Sequence, residues 1–378
     1  MRESPKFPHY RVAYPPSAKR WLGFGSSVIL LSGILAALIR RPEHHISIIL
    51  SCMIGIAIFI GVCWLIRMLS FRLSVHHSMT WSREVEYERK HWWEIHQRSF
   101  SLMDVVLIGP AGAELFDWLR VIKREQPVPP VRQEASGKVM RVARTFSSDL
   151  NEREKQLVQM LVLQWKQQRK DQPAIFPEKF FWLGSDESWR AFVTQLNECF
   201  PGMRIPESPE RWLGEETLSL FAYTFGDGEL QGVYLVAGCQ SLYPSSDAVR
   251  PAGESAVLWL VGSHGDVRLT RGEFWGTSDV ESLQQTVSRA EKQSEPDESP
   301  DKCILFSRPL LPELADCGWN VTHNTQDEYW GESGKLDALI VISLAAMSAM
   351  SEKEPCAWIA SDPLHTLALG IVKPHGNR

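Results

Sequence analysis

The sequence predicts an α/β protein in which an N-terminal transmembrane helical hairpin precedes a layered α/β soluble domain. Three observations predict it. Residues 21–39 and 46–66 are apolar and uncharged, and each is long enough to cross a hydrocarbon core of roughly 30 Å as a helix. From Leu102 onward short apolar runs alternate with stretches of helical spacing, the pattern of strands and helices packed in layers. Of the 378 residues 44% are hydrophobic and 22% charged, so the chain beyond the hairpin can bury one large core or two small ones.

Only residues 40–45, Arg-Arg-Pro-Glu-His-His, separate the two apolar segments. A cleavable signal peptide has a shorter apolar core and no second span behind it. Arg2, Lys6, Arg11, Lys19 and Arg20 precede the pair, Arg67, Arg72 and Arg83 follow it, and the turn holds Arg40 and Arg41. Two spans put both flanks on one side, and the positive-inside bias makes that side the cytoplasm. This divides the chain into a cytoplasmic tail (1–20), the hairpin (21–66), a juxtamembrane helix (67–100) and two α/β halves (101–216 and 217–378). Neither span carries a charge that could line a transport path. The pairs Gly33 and Ala37, Ser51 and Gly55, and Ala57 and Gly61 have the small-residue spacing that lets two helices, or two copies in a homo-oligomer, pack closely.

Charge is unevenly distributed. Residues 1–100 hold thirteen Lys and Arg against six Asp and Glu, or +7, which leaves −12 for residues 101–378 out of the total of −5. An acidic body argues against binding nucleic acid, while the basic membrane-proximal part suits anionic headgroups. Seven cysteines, two of them inside the second span and none in a CxxC, fit a reducing compartment without disulfides or a zinc site. The pairs His44–His45 and His76–His77 lack companions at ligand spacing, so neither a metal nor another cofactor is expected.

Taken in order, residues 71–100 read as a helix leaving the membrane, with Glu84–Glu88 and Glu86–Lys90 at i,i+4 spacing. Residues 102–108 read as a buried strand, 109–112 (Gly-Pro-Ala-Gly) as a turn and 113–124 as a helix. That turn lacks the third glycine of a dinucleotide site. A loop at 126–137 leads to a strand at 138–146, then to a helix at 152–170 capped by Asn151 with Glu154. A strand ends near Gly184, and a helix at 187–200 closes on Cys199, a position that favours burial over reactivity. Strands are expected at 217–224, 232–237, 255–261, 304–306, 319–322, 357–360 and 367–372, with a helix at 334–350. Residues 284–301, rich in Ser, Glu and Pro, read as an exposed loop.

Three stretches of the second half follow one another in an order that resembles thiolase-fold condensing enzymes of the ketoacyl-synthase type. Residues 251–260, Pro-Ala-Gly-Glu-Ser followed by an apolar run, resemble the Pro-Gly-Glu-Gly-Ala entry to a core strand. Residues 319–325 resemble the strand and loop carrying the first catalytic histidine, here His323, and residues 330–336 resemble the Gly-His-x-x-Gly stretch carrying the second. Glu332 stands where that second histidine would be, and nothing in the first half resembles the cysteine nucleophile elbow. The resemblance therefore implies the fold with its catalysis lost, since Claisen condensation needs a thiolate and imidazoles for the carbonyl charge. Gly253, Glu254, Gly331, Glu332 and Gly334 are then expected to build structural turns. Were there chemistry, as an acyl-transfer or lipid-acting enzyme at the membrane surface, His323 with Ser333 or a cysteine would carry it.

A membrane segment, a Trp-Trp lead (Trp92, Trp93) into residues 104–110, and an α/β body with Asp227–Gly228 together resemble the type VI lipase adapter proteins of bacterial type VI secretion clusters. The resemblance implies a non-catalytic accessory protein of the inner membrane, with both termini cytoplasmic, whose partner is a lipase-type secreted effector or a spike component.

Overall fold

The computed structural model describes residues 5–38, 46–228, 232–295, 299–307 and 311–375. The chain divides into two compact units, Met1–Trp93 and Glu94–Arg378.

The apolar runs of the first unit contain no proline and form two helices, α1 (Ala18–Leu38) and α2 (Ile46–His96). The turn expected at 40–45 lies among the undescribed residues. A Cβ on Gly25 would stand 3.3 Å from Ile60, and one on Gly33 3.2 Å from Met53, so the two helices touch in antiparallel register where glycine lets them approach. Gly55 and Gly61 meet nothing within 4 Å and so lie away from that contact. Half-buried residues recur along α2 at Met53, Ile56, Ile60, Cys63, Arg67, Phe71, Ser74, Ser78 and Val85, a three-four spacing that marks one continuous helix face.

α1 covers the first part of that face, and the N-terminal segment covers the rest. Arg67 Nη2 donates to the Tyr14 carbonyl at 2.9 Å, the Ala13 N–H to Ser74 Oγ at 2.9 Å, and Trp81 Nε1 to the Pro8 carbonyl at 3.2 Å. The Phe7 ring meets Trp81 edge-on at 6.3 Å. Six extended residues reach about 20 Å and fourteen helical ones about 21 Å, so a strap from Pro8 to Tyr14 can lie along α2 from Trp81 to Arg67. Ile49–His96 contains a window of mean hydropathy 2.7, none of it buried, and is long and apolar enough to cross a membrane. Gly334–Glu352 meets the same criterion at 1.4 but is 72% buried, as befits a core helix.

The second unit alternates strand and helix. In order come β1 (Ser99–Ile108), α3 (Leu115–Ile122), β2 (Arg132–Glu134), β3 (Gly137–Val139), α4 (Leu150–Gln168), β4 (Lys179–Leu183), α5 (Asp186–Cys199), β5 (Glu210–Arg211) and α6 (Glu215–Phe225). There follow β6 (Tyr234–Ser241), β7 (Glu254–Gly262), β8 (Val267–Thr270), β9 (Glu273–Trp275), α7 (Leu283–Ser294), β10 (Lys302–Leu305), α8 (Asp327–Trp330), α9 (Asp337–Glu352), β11 (Cys356–Ser361) and β12 (Leu367–Pro374).

Ten strands form one mixed sheet in the order β10-β11-β12-β8-β1-β7-β6-β4-β5, with β9 beside β12. β1 therefore lies between β7 and β8, and both sequence segments of the unit share one sheet. The layered α/β architecture is present: α3, α6 and α9 cover one face, and α4, α5 and α7 the other. β7 is buried on both sides, with Val257, Trp259 and Val261 toward α9 and Ala256, Leu258 and Leu260 toward α4. A register shift between Leu102 and Asp104 reverses the alternation in β1, so that Leu102 and Leu107 face the same way.

Several local expectations are corrected. Residues 217–224 are helical within α6, because Leu218, Phe221, Ala222 and Phe225 bury a face with a helical period despite their strand-prone neighbours. The expected exposed loop at 284–301 begins as α7, capped by a reciprocal Ser282–Gln285 box and buried through Leu283, Val287 and Ala290. The strand expected at 138–146 stops at Val139, and residues 319–322 are irregular. Asp149, not Asn151, caps α4, accepting the Asn151 N–H at 3.2 Å.

Candidate functional site

The two glycine-flanked motifs of the second half meet through their backbones. The Gly253 N–H donates to the Glu332 carbonyl at 3.0 Å, the Glu332 N–H to the Pro251 carbonyl at 2.8 Å, and the Met140 N–H to the Ala252 carbonyl at 2.8 Å. A Cβ on Gly253 would stand 2.4 Å from the Trp330 and Glu332 carbonyls, and Gly331 holds φ +69°, so both positions require glycine. The expected turn residues are thereby brought together, but their carboxylates behave differently. Glu254 opens β7 at 1% exposure and accepts the Val142 N–H at 2.9 Å, Thr145 Oγ1 at 2.9 Å, Ser241 Oγ at 2.7 Å and Arg153 Nη2 at 3.0 Å. Arg153 Nε reaches its other oxygen. Burial raises its pKa, but hydrogen bonds from Arg153 and Ser241, the Arg153 charge and the Val142 N–H outweigh that and hold the carboxyl below its ordinary value. The Glu332 side chain is exposed, and its backbone alone takes part in the turn.

The two residues expected to serve any chemistry bond to different partners and not to each other. His323 is exposed, and its Nδ1 accepts from Asn320 Nδ2 at 2.8 Å. Ser333 is buried, and its Oγ donates to Asp337 Oδ1 at 2.5 Å. Beside the turn at 109–112, Asp117 Oδ2 accepts the Ala113 and Glu114 N–H groups at 3.2 Å each. Gly109 is required there for packing: a Cβ would stand 2.4 Å from the Trp330 ring, which stacks on Trp118 at 4.9 Å.

A cleft of about 760 Å³ lies where β4, β5, β6 and β11 end and α5 and α9 begin. Such a position, outside the carboxyl ends of strands, is where open α/β sheets bind ligands. Trp182, Trp212, Leu213, Ala338 and Pro363 supply apolar walls; Arg211, Lys335, Gln240, Glu154, Asp337 and Asp362 supply the polar groups. Ser185, the N-cap of α5, donates to Glu154 Oε2 at 2.8 Å and accepts the Ser188 N–H at 3.2 Å. Gln240 Oε1 accepts the Lys335 N–H at 3.1 Å. Burial pushes the Asp337 carboxyl up from 3.8 to about 6 against the Ser333 hydrogen bond that lowers it. Cys239 is fully buried, and burial together with the Glu154 charge pushes its thiol up, which removes the thiolate a nucleophile needs. Among the described residues no group of three or more His, Cys, Asp or Glu side chains could hold a metal ion.

The sequence drew attention to Gly334, which lies in this cleft, and assigned Glu154 to a cap; it singled out none of Ser185, Arg211, Asp337 or Asp362. For Asp337 a signal existed, since it is the lone carboxylate opening the most apolar helix of the unit. Arg211 and Asp362 converge from strands distant in sequence and left no local pattern to find.

No family model matches the chain, and no curated protein matches it. Its structure is similar to the ishigamide ketosynthase/chain length factor, with a TM-score of 0.48 and 12% identity over 74% of this chain and 100% of that one. It is similar to ChlB3, an acyltransferase, with a TM-score of 0.48 and 12% identity over 73% and 98%. It is also similar to 3-oxoacyl-(acyl carrier protein) synthase III, FabH, from Xanthomonas oryzae pv. oryzae, with a TM-score of 0.40 and 11% identity over 73% and 98%. With all three TM-scores below 0.5, neither an activity nor a residue role follows from the likeness.

Proposed function

We propose that this chain is a membrane-tethered, non-catalytic adaptor whose thiolase-like soluble unit offers the cleft at Arg211 and Lys335 to a protein client. The observation that carries the proposal is the engagement in structure of three nucleophile-type groups at or beside the cleft, Ser185, Ser333 and Cys239. Ser185 is spent on Glu154 and the α5 cap, Ser333 on Asp337, and Cys239 is sealed in the core with a raised thiol pKa. A volume of about 760 Å³ with aromatic walls and opposed charges suits an inserted side chain cluster or peptide segment. The sequence resemblance to type VI lipase adapters makes the client a lipase-type effector or a spike component of a bacterial type VI secretion system. The tether is the α1–α2 pair, crossing the inner membrane twice with both termini cytoplasmic. The strap supports this topology, because residues 8–14 can bond to α2 beyond Ile66 only if both flanks share one side.

Affinity capture of the full chain in detergent from cells carrying the secretion cluster tests the reading. One effector or spike protein should be retained by the wild type and lost with Arg211→Glu and Lys335→Glu. Turnover of acyl-thioesters or esters that disappears on Ser185→Ala, Ser333→Ala or His323→Ala would overturn it in favour of an enzyme.

A further inference from the structure

The strap brings together two stretches of sequence that carry cations and no acids. Among residues 5–38 and 46–83 there is not one Asp or Glu, while Lys6, Arg11, Lys19, Arg20, Arg67, Arg72 and Arg83 all fall there. The first acids of α2 come later, at Glu84, Glu86 and Glu88. Charge is thus sorted along the helix rather than mixed.

Lys19 and Arg20 open α1, and Arg67 and Arg72 lie one and six residues past Ile66 on α2. The antiparallel contacts Gly25–Ile60 and Tyr14–Arg67 bracket this level, so these four cations sit around the same end of the helix pair. Lys19, Arg20 and Arg72 are exposed, whereas Arg67 is half-buried and holds the strap. Trp21 and Trp64, at the same level, are the amphipathic rings that favour a headgroup interface. Six residues of helix rise about 9 Å, which keeps all four cations within about one Debye length of a surface at the span ends.

We infer that this acid-free collar, assembled by the packing of α1 on α2, is a recognition surface for anionic lipid headgroups. The inference rests on the tether reading and adds a lipid preference to it. Hydrophobic spans alone hold the chain in any bilayer. The collar makes one class of lipid accumulate next to the protein, because the exposed Lys19, Arg20 and Arg72 have no carboxylate within their own stretch to satisfy them.

The full chain, reconstituted into vesicles of equal phosphatidylcholine and phosphatidylglycerol and released into the gas phase with its retained lipids, should keep phosphatidylglycerol several-fold over phosphatidylcholine. The triple variant Lys19→Gln, Arg20→Gln, Arg72→Gln should reduce the ratio to about one, and so should 0.5 M salt during reconstitution. Arg67 is left in place, so the strap persists. Equal retention of both lipids by the wild type, or a ratio unchanged in the triple variant, overturns the inference. Carbonate extraction of the same vesicles separates the two readings: release of the wild type defeats the tether itself, whereas a protein that stays integrated without lipid preference defeats only the collar.

Discussion

Glu254 and Asp337 are carboxylates whose surroundings drive their protonation in opposite directions, and each makes a measurable prediction. Glu254 has its pKa lowered below the ordinary 4.5, so in acid the unfolded chain takes up a proton first. Its stabilisation is present above pH 4.5 and is lost as pH falls through the folded value. Glu254→Ala would strand Arg153 in the core and should cost about 3–5 kcal/mol, more than a lost helix cap would. Glu332→Ala removes an exposed side chain and should stay within about 0.5 kcal/mol, because the turn is held by its backbone. Urea melts of the two variants at pH 7 check the contrast; equal losses would sink it. Asp337 is raised from 3.8 to about 6, so in that window the folded protein holds a proton the unfolded chain has released. Stability should therefore fall as pH rises from about 4 to about 6 and then level off, and Asp337→Asn should flatten this slope. A pH series of melting temperatures that is the same in wild type and variant would refute it. In the sequence the two glutamates looked alike, each flanked by glycine; only the long-range partners, 101 residues away for Arg153, tell them apart.

At the scale of elements, what a local period could reveal was readable, and what a distant partner decides was not. α4, α5 and the strands β1, β4, β6 and β7 announce themselves by apolar spacing. α6 does not, because its β-branched and aromatic residues favour a strand until Trp212, Phe181 and Tyr234 pack against Phe221. α7 is polar because its buried side includes Thr286, Arg289 and Gln293, with Arg289 Nε donating to the buried Glu273 at 2.9 Å. The start of β1 has a consequence for cutting the chain. Ser99 and Phe100 pair with Thr270 and Leu269, and Phe100 meets the Phe221 ring at 5.5 Å. A fragment of residues 94–378 should fold without α1 and most of α2, whereas one of 101–378 should be less stable by about 3–5 kcal/mol, the cost of deleting a buried Phe. Denaturant midpoints of the two fragments decide; coincident curves would mean that the N-terminal end of β1 is dispensable.

For the whole molecule, the topology proposed for the basic first unit and the acidic second unit can be tested directly. A periplasm-dependent reporter fused after Arg378 should be silent and one placed between Pro42 and His45 active; the reverse would put the acidic unit outside the cytoplasm. The site was scarcely legible, since its walls come from β4, β5, β6, β11, α4 and α9, none adjacent in sequence to all the others. The same interleaving governs how the chain is made. β1 leaves the ribosome early, yet its neighbours β7 and β8 lie about 150 residues downstream, and its Ser101 pairs with Gly262. At about 5–20 residues per second that is roughly 7–30 s of synthesis during which an apolar strand has both edges open. With α1 and α2 already emerged, the nascent chain would wait with its central strand unpaired. Its hazard is therefore one of timing: holding that strand apart from other chains until its last partner is translated is work for a cotranslational chaperone.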